Sequence, residues 1–241
     1  IGPNADSLDV LLGNYNGTPS SYITALQGIR TYFNGGTVFT QGCDLKRKDK
    51  SGFGEALQLA QDVDAVVLCL GLSPRLEGEE GDALNADASG DKLSLKLPGA
   101  QEELLELLAA TGKPLIVALF AGSPLDLRKV DQMANAVILA WYPGQDGGKA
   151  LAEILFGDFN PSGRLPVTFV LSDEDLPPFE DYSMKGRTYR YLEKPPLYPF
   201  GFGLSYTSFE YSDFVLEDGE DEIHASVRVK NSGIRSGGEV V

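Results

Sequence analysis

The sequence predicts an α/β fold, a doubly wound and mostly parallel sheet sandwich followed by a truncated β-sandwich segment. Apolar runs rich in Val, Ile and Leu alternate with segments of helical periodicity in the first part of the chain. Strands that are apolar at consecutive positions are typical of parallel sheets buried on both faces. From Phe209 onward polar and apolar residues alternate instead, which is typical of half-buried antiparallel strands.

Strands are predicted at three long apolar runs and two short ones. The long runs are DAVVLCLGL (64–72), PLIVALFAG (114–122) and NAVILAWYPG (135–144), and the short ones are DVLLGNY (9–15) and TVFTQGC (37–43). In a doubly wound sheet, ligands bind at the loops that leave the carboxyl ends of the strands. A functional site is therefore expected in those loops.

Helices are predicted between the strands. A serine cap and apolar residues at spacings of three and four predict a helix over 19–33. The segment 99–112 begins after a proline and ends at a glycine, as helices commonly do. Further helices are predicted over 52–63 and 147–157, and the alternation of strands and helices is typical of a layered α/β domain.

Composition predicts three regions. Residues 1–170 carry the α/β pattern, whereas residues 171–208 are rich in Pro, Gly and aromatic side chains, which indicates a connector. In residues 209–241, the alternating segment IHASVRV (223–229) precedes the turn sequence NSG. We expect this last region to be the start of a small β-sandwich.

Charge and composition exclude several classes of function. The net charge of −15, from 35 acidic and 20 basic residues, argues against binding to nucleic acid or to an anionic membrane surface. No apolar run approaches the ~18–20 residues that span a bilayer. The single histidine, His224, disfavours most metal sites and any Ser–His or Cys–His mechanism. Cys43 and Cys69 are too few for a disulfide framework, and Cys69 is expected to be a buried thiol.

An acidic segment follows the first long strand. In LCLGLSPRLEGEEGD (68–82), the apolar run is succeeded by Glu77, Glu79, Glu80 and Asp82. Crowded and partly desolvated carboxyl groups have raised pKa values, as a general acid near neutral pH requires. The alternative is a solvated loop of an acidic protein, and spacing alone favours that alternative.

Two other segments could bind ligands, but simpler explanations account for both. The glycine-rich turn at 144–148 lacks the spacing of known phosphate-binding loops, so nucleotide binding is disfavoured. Aromatic residues in 186–212 could stack on sugar rings, although packing of the connector explains them better.

Several motifs, in order, resemble the C-terminal half of glycoside hydrolase family 3, which includes β-glucosidases and β-xylosidases. They are IGPNAD, GLSPRLEGE with LSLKLPGAQEELL, PGQDGGKALAEILFGDFNPSGRLPVTF and YPFGFGLSYTSFEYS. VRVKNSGIRSGGEVV resembles the start of the family's fibronectin type III-like domain. GNYNGTPSSYITALQGI resembles the xylosidase-type members, which favours a β-xylosidase active in xylan degradation.

The resemblance implies a retaining, exo-acting β-glycosidase that hydrolyses non-reducing terminal β-linked sugars of glycosides or oligosaccharides. It implies that the nucleophilic Asp lies on an N-terminal (β/α)8 barrel outside this chain. The chain alone is therefore expected to be incomplete and inactive. The resemblance implies no cofactor and no metal, and a periplasmic or secreted location. A non-catalytic carbohydrate-binding or structural module of the same fold is the alternative.

The family pattern also assigns the general acid/base. Matching two acids separated by one residue places this role on Glu79, with Glu77 as the second candidate and Glu80 also open. The family usually has Asp-Arg shortly afterwards, whereas here Ala83 follows Asp82. This departure leaves the choice among the three glutamates open, and no substrate-binding residue is assigned.

Overall fold

Three parallel strands form the centre of the fold. In the computed structural model, which describes residues 1–78 and 92–241, they are β1 (Val66–Gly71), β2 (Leu115–Phe120) and β3 (Ala136–Leu139). They are hydrogen-bonded in the order β1-β2-β3, with Val66 beside Leu115 and Ile116 beside Ala136. The parallel sheet predicted from the three long apolar runs is confirmed.

Helices connect and cover these strands. In chain order they are α1 (Ala25–Tyr32), α2 (Phe53–Asp62), α3 (Pro74–Glu77), α4 (Gln101–Ala109), α5 (Arg128–Met133), α6 (Gly147–Leu155) and α7 (Thr188–Tyr191). Four of them, α1, α2, α4 and α6, lie within the four predicted segments. The start of the first prediction is wrong, because the helix begins at a capping box rather than at the earlier serines. The Thr24 side chain accepts the Gln27 N–H at 3.3 Å, and the Gln27 side chain accepts the Thr24 N–H at 3.0 Å.

The two short strand predictions are wrong. Asp9–Leu11 form a 3₁₀ turn, and the described residues 37–43 contain no strand. The first residues of the chain instead run along the edge of β1, where Ile1 C=O accepts the Cys69 N–H at 2.8 Å. Val10 and Leu11 are still buried, because side-chain burial does not require the backbone to join a sheet.

Helices pack on both faces of the sheet, and alternate strand residues face opposite layers. On one face, Leu68 and Leu70 pack in a core with side chains of α2, α4 and α5. On the other face, Cys69 and Phe120 pack with side chains of α1 and α6. Burying a side chain of this size contributes about 1.5–3 kcal/mol, so both layers stabilise the sheet. Cys69 is a buried free thiol, as predicted.

The α1 and α6 helices cross at two glycines. A Cβ built on Gly28 would lie 2.0 Å from the Gly148 carbonyl oxygen, and one built on Gly148 would lie 1.9 Å from the Thr24 carbonyl oxygen. Only glycine allows the two backbones to approach this closely. The crossing places the start of α6 at the edge of the sheet that carries the site described below.

After α6 the chain packs across the sheet and ends in a hairpin. Phe169 forms an isolated antiparallel bridge with Tyr198, and its ring meets Trp141 edge-on with centroids 6.4 Å apart. The antiparallel strands β4 (Phe209–Asp218) and β5 (Ile223–Asn231) follow, so the strand predicted at 223–229 is confirmed. The region boundaries at 170 and 208 stay a prediction.

Candidate active site

The carboxyl ends of β1, β2 and β3 meet at one edge of the sheet, and Glu77 lies there. After β1 the chain turns at Ser73 into the single turn of α3. The Ser73 hydroxyl accepts the Leu76 N–H at 3.4 Å, and Pro74 occupies the first helical position. This sequence favours a helical turn because serine caps helix starts and proline has no N–H to lose. The turn ends at Gly78, whose φ of 66° suits glycine.

The Glu77 carboxylate is held by donors from the segments that follow β2 and β3. The Gly122 N–H donates to Oε2 at 2.8 Å, and the Ser123 hydroxyl donates to Oε1. The Tyr142 hydroxyl donates to Oε2 as well. Gly122 and Ser123 follow β2, and Tyr142 follows β3. One carboxylate therefore links the segments that leave three adjacent strands.

The backbone around Glu77 is adapted to this contact. A Cβ on Gly122 would lie 2.9 Å from Glu77 Oε2 and 2.9 Å from Tyr142 Cε2, so a side chain there would separate the groups. Trp141 has a φ of 55°, a left-handed conformation that costs a non-glycine residue roughly 1–2 kcal/mol. With this backbone, Trp141 packs against the core while the next side chain, Tyr142, reaches Glu77. Backbone strain of this kind is concentrated at functional sites.

Burial and the hydrogen bond to Glu77 raise the pKa of Tyr142 far above its ordinary value. The phenol is therefore neutral at physiological pH and keeps the proton that it donates. An ionised carboxylate can accept all three of these bonds at once, because it offers two oxygens with about four lone-pair sites. The group is suited to holding Glu77 in place.

Two contacts between exposed groups reach α3 from its outer side. Arg75 Nε lies 3.5 Å from Asp9 Oδ2, and Asn14 Nδ2 donates to the Gly78 carbonyl at 3.4 Å. These contacts come from the segment 9–15 that was wrongly predicted as a strand. The segment therefore belongs to the edge of the site rather than to the sheet.

The buried Gln101 side chain fixes the end of β1. Its Oε1 accepts the Gly71 N–H at 2.8 Å, while Nε2 donates to the carbonyls of Gly71 and Leu45, each at 2.9 Å. The amide therefore pairs with both backbone groups of Gly71, as a neighbouring strand would. These hydrogen bonds hold Gly71, the last residue of β1, and the chain runs from there to α3.

Of the four acids in the segment after β1, Glu77 alone lies within the described residues. Glu77 is described and lies at the predicted edge, whereas Glu79, Glu80 and Asp82 lie outside the described residues. No sequence motif pointed to Ser123 or Tyr142 as site residues. Their positions directly after the strands predicted at 114–122 and 135–144 were the signal that could have identified them.

The glycine-rich turn at 144–148 uses its three glycine N–H groups within the fold. The N–H groups of Gly144, Gly147 and Gly148 donate to backbone carbonyls of Leu11, Gly144 and Ile23, respectively. The glycine-rich turn therefore serves packing rather than phosphate. Within 1–78 and 92–241, no three His, Cys, Asp or Glu side chains are grouped to hold a metal, and no helix could cross a bilayer.

The chain is similar to glycosidases of known type. "Xylan 1,4-beta-xylosidase" of Xylanibacter ruminicola is 41% identical over 212 residues, which cover 85% of this chain and 24% of that protein. "Beta-xylosidase" of Formosa agariphila is 37% identical over 259 residues, covering 100% and 34%. "Periplasmic beta-glucosidase" of Salmonella typhimurium is 33% identical over 281 residues, covering 100% and 36%. The chain thus spans only 24% to 36% of the length of these relatives.

Solved structures agree with this similarity. A β-glucosidase from Erythrobacter marinus superposes with a TM-score of 0.81 at 37% identity, covering 98% of this chain and 35% of that one. An exo-β-xylosidase in complex with a xylobiose aziridine probe superposes with a TM-score of 0.77 at 33% identity, covering 88% and 28%. The model of the glycosyl hydrolase family 3 C-terminal domain matches residues 1–206. The chain therefore belongs to glycosyl hydrolase family 3, within the C-terminal domain of that family.

Proposed function

We propose that this chain is the C-terminal part of a retaining, exo-acting β-glycosidase and that it supplies the general acid/base. The observation that carries the proposal is the position of Glu77 and Gly78 at the carboxyl edge of the sheet. The acidic sequence continues from Gly78, at the edge where α/β folds bind their ligands. The relatives, which are named as β-xylosidases and β-glucosidases, support the reaction class.

Glu79 is the proposed acid/base. In the first step it protonates the glycosidic oxygen as the bond to the anomeric carbon breaks, and in the second it takes a proton from the attacking water. The nucleophile is a carboxylate of an N-terminal (β/α)8 barrel outside this chain, about 5–5.5 Å from the acid/base in a retaining enzyme. Glu77 is the weaker candidate because its carboxylate already accepts three hydrogen bonds.

A β-xyloside is the proposed substrate. The relative from Xylanibacter ruminicola, which is named as a xylosidase, is 41% identical, compared with 33% and 37% for the glucosidases from Salmonella typhimurium and Erythrobacter marinus. A periplasmic or secreted location is proposed with it, supported by the relative from Salmonella typhimurium that is named periplasmic.

The test uses the full-length enzyme that contains this chain, with p-nitrophenyl β-D-xyloside and β-D-glucoside as substrates. Glu79→Ala should lower the rate by about 10²–10⁴-fold, the usual contribution of general acid–base catalysis. Azide should restore activity and yield the β-glycosyl azide, because a small anion can replace water without help from a base. Glu80→Gln is the matched control in the same acidic sequence and should keep most of the activity.

Normal activity of Glu79→Ala would remove the role from Glu79. An unsubstituted enzyme that hydrolyses neither substrate would favour the alternative, a non-catalytic carbohydrate-binding or structural module.

A further inference from the structure

We propose that Glu77 is a positioning residue rather than a second catalytic acid. Together with Gly122, Ser123 and Tyr142 it forms a group that we call the Glu77 clamp. The clamp holds the end of α3 in the orientation that the following acid/base needs. This inference rests on the proposed function of the chain as the source of that acid/base.

The contacts of Glu77 are those of an anchor. Both carboxylate oxygens accept hydrogen bonds, and the three donors come from the segments that follow two different strands. A general acid must direct a proton at the substrate. The Glu77 oxygens instead accept hydrogen bonds from groups of the protein itself. Glu77 is also only partly exposed. Its side chain is therefore committed to the fold.

The clamp acts on a very short piece of chain. Glu77 is the last residue of α3, and Gly78 alone separates it from Glu79 in the sequence. Glycine permits rotation of the backbone, so the orientation of the chain after Gly78 depends on how firmly Glu77 and Gly78 are held. The clamp holds Glu77, and the hydrogen bond from Asn14 holds the Gly78 carbonyl. A displacement of about 1 Å in a catalytic group can cost about 10²-fold in rate.

Substrates with different leaving groups can distinguish a positioning role of the clamp from a purely structural one. Xylobiose has a poor leaving group that must be protonated as the bond breaks, whereas 2,4-dinitrophenol departs without a proton. A misplaced acid therefore slows hydrolysis of xylobiose far more than hydrolysis of 2,4-dinitrophenyl β-D-xyloside. A loss of folded enzyme lowers both rates by the same factor.

The decisive variant is Tyr142→Phe in the full-length enzyme, which removes one donor of the clamp and keeps the ring. We expect kcat/KM for xylobiose to fall about 10-fold or more and that for the dinitrophenyl xyloside to fall less than about 3-fold. Tyr32→Phe is the matched control, because it removes a similar bond from a tyrosine hydroxyl to Asp158 beyond the far end of α6. The control should leave the ratio of the two rates unchanged.

A pair of substitutions at Glu77 tests the carboxylate itself. Glu77→Gln keeps an acceptor for Gly122 and Tyr142, so it should retain more xylobiose activity than Glu77→Ala. Equal losses on both substrates in Tyr142→Phe would overturn the positioning role. Rescue of Glu77→Ala by azide, with formation of the glycosyl azide, would also overturn it, because Glu77 would then be the acid/base.

These outcomes are distinct from failure of the proposed function. That failure appears in Glu79→Ala, which would then keep its activity, whereas failure of the clamp appears in the substrate ratio of Tyr142→Phe.

Discussion

Gln101→Leu should destabilise the chain strongly, although it replaces a buried polar side chain with an apolar one of similar size. Gln101 begins α4 and is fully buried. Its amide makes three hydrogen bonds to backbone groups, two of them at Gly71 and the third at Leu45. Leucine would leave these groups without that partner, at the strand end that leads to α3.

The magnitude follows from the three bonds. A buried backbone group without its partner costs about 1–3 kcal/mol, and Gly71 contributes two such groups. The Leu45 carbonyl is only partly buried, so the gross cost is about 3–6 kcal/mol. The apolar surface of the new leucine offsets about 1–2 kcal/mol of this cost. The expected net loss in the free energy of unfolding is therefore about 2–4 kcal/mol.

The assay is denaturation of the 241-residue chain in urea, followed by the fluorescence of Trp141, its single tryptophan. Trp141 packs on the core that contains Gln101's neighbours on β1 and α4, so its signal reports unfolding of that layer. Gln58→Leu, on the exposed face of α2, is the matched control and should change the free energy of unfolding by less than about 0.5 kcal/mol. A loss below about 1 kcal/mol in Gln101→Leu relative to this control would refute the reasoning.

Two further predictions use the same measurement. Gly148→Ala forces α1 and α6 apart, because its Cβ would lie 1.9 Å from the Thr24 carbonyl oxygen, and should cost about 3 kcal/mol. Gly54→Ala, whose Cβ would meet no atom within 4 Å, should instead stabilise α2 by about 0.5–1 kcal/mol, and a similar sign in both variants would contradict the crossing. Burial raises the pKa of Cys43 and of Cys69 from 9.0 to about 11, so the unfolded thiols ionise first and stability falls as the pH rises from 9 towards 11. Urea midpoints between pH 8 and 11 should show this fall, and a chain with both cysteines replaced by alanine should show less of it; equal slopes would be the contrary result.

The main strands were predictable because their burial leaves a local record. A parallel strand covered on both faces must be apolar at consecutive positions, and β1 and β2 are buried at five of their six residues. The outer strand β3 lies in a similar apolar run, although its residues are only partly buried or exposed. The segments 9–15 and 37–43 show the limit of the pattern. Val10 and Leu11 are buried as their sequence suggests, yet they lie in a turn. An apolar sequence indicates that its side chains are buried. Whether the segment forms a strand depends on whether another strand lies beside it to accept and donate backbone hydrogen bonds.

The sequence by itself determined the α/β class, the family resemblance and the acidic segment that follows β1. Only the tertiary structure decided the surroundings of Glu77, because its partners lie 45, 46 and 65 residues away along the chain. Gly122, Ser123 and Tyr142 meet Glu77 only because β2 and β3 lie beside β1 in parallel, with their carboxyl ends at the same edge. Periodicity describes neighbours within one helix or strand, and contacts between loops of different strands arise only when the sheet has formed.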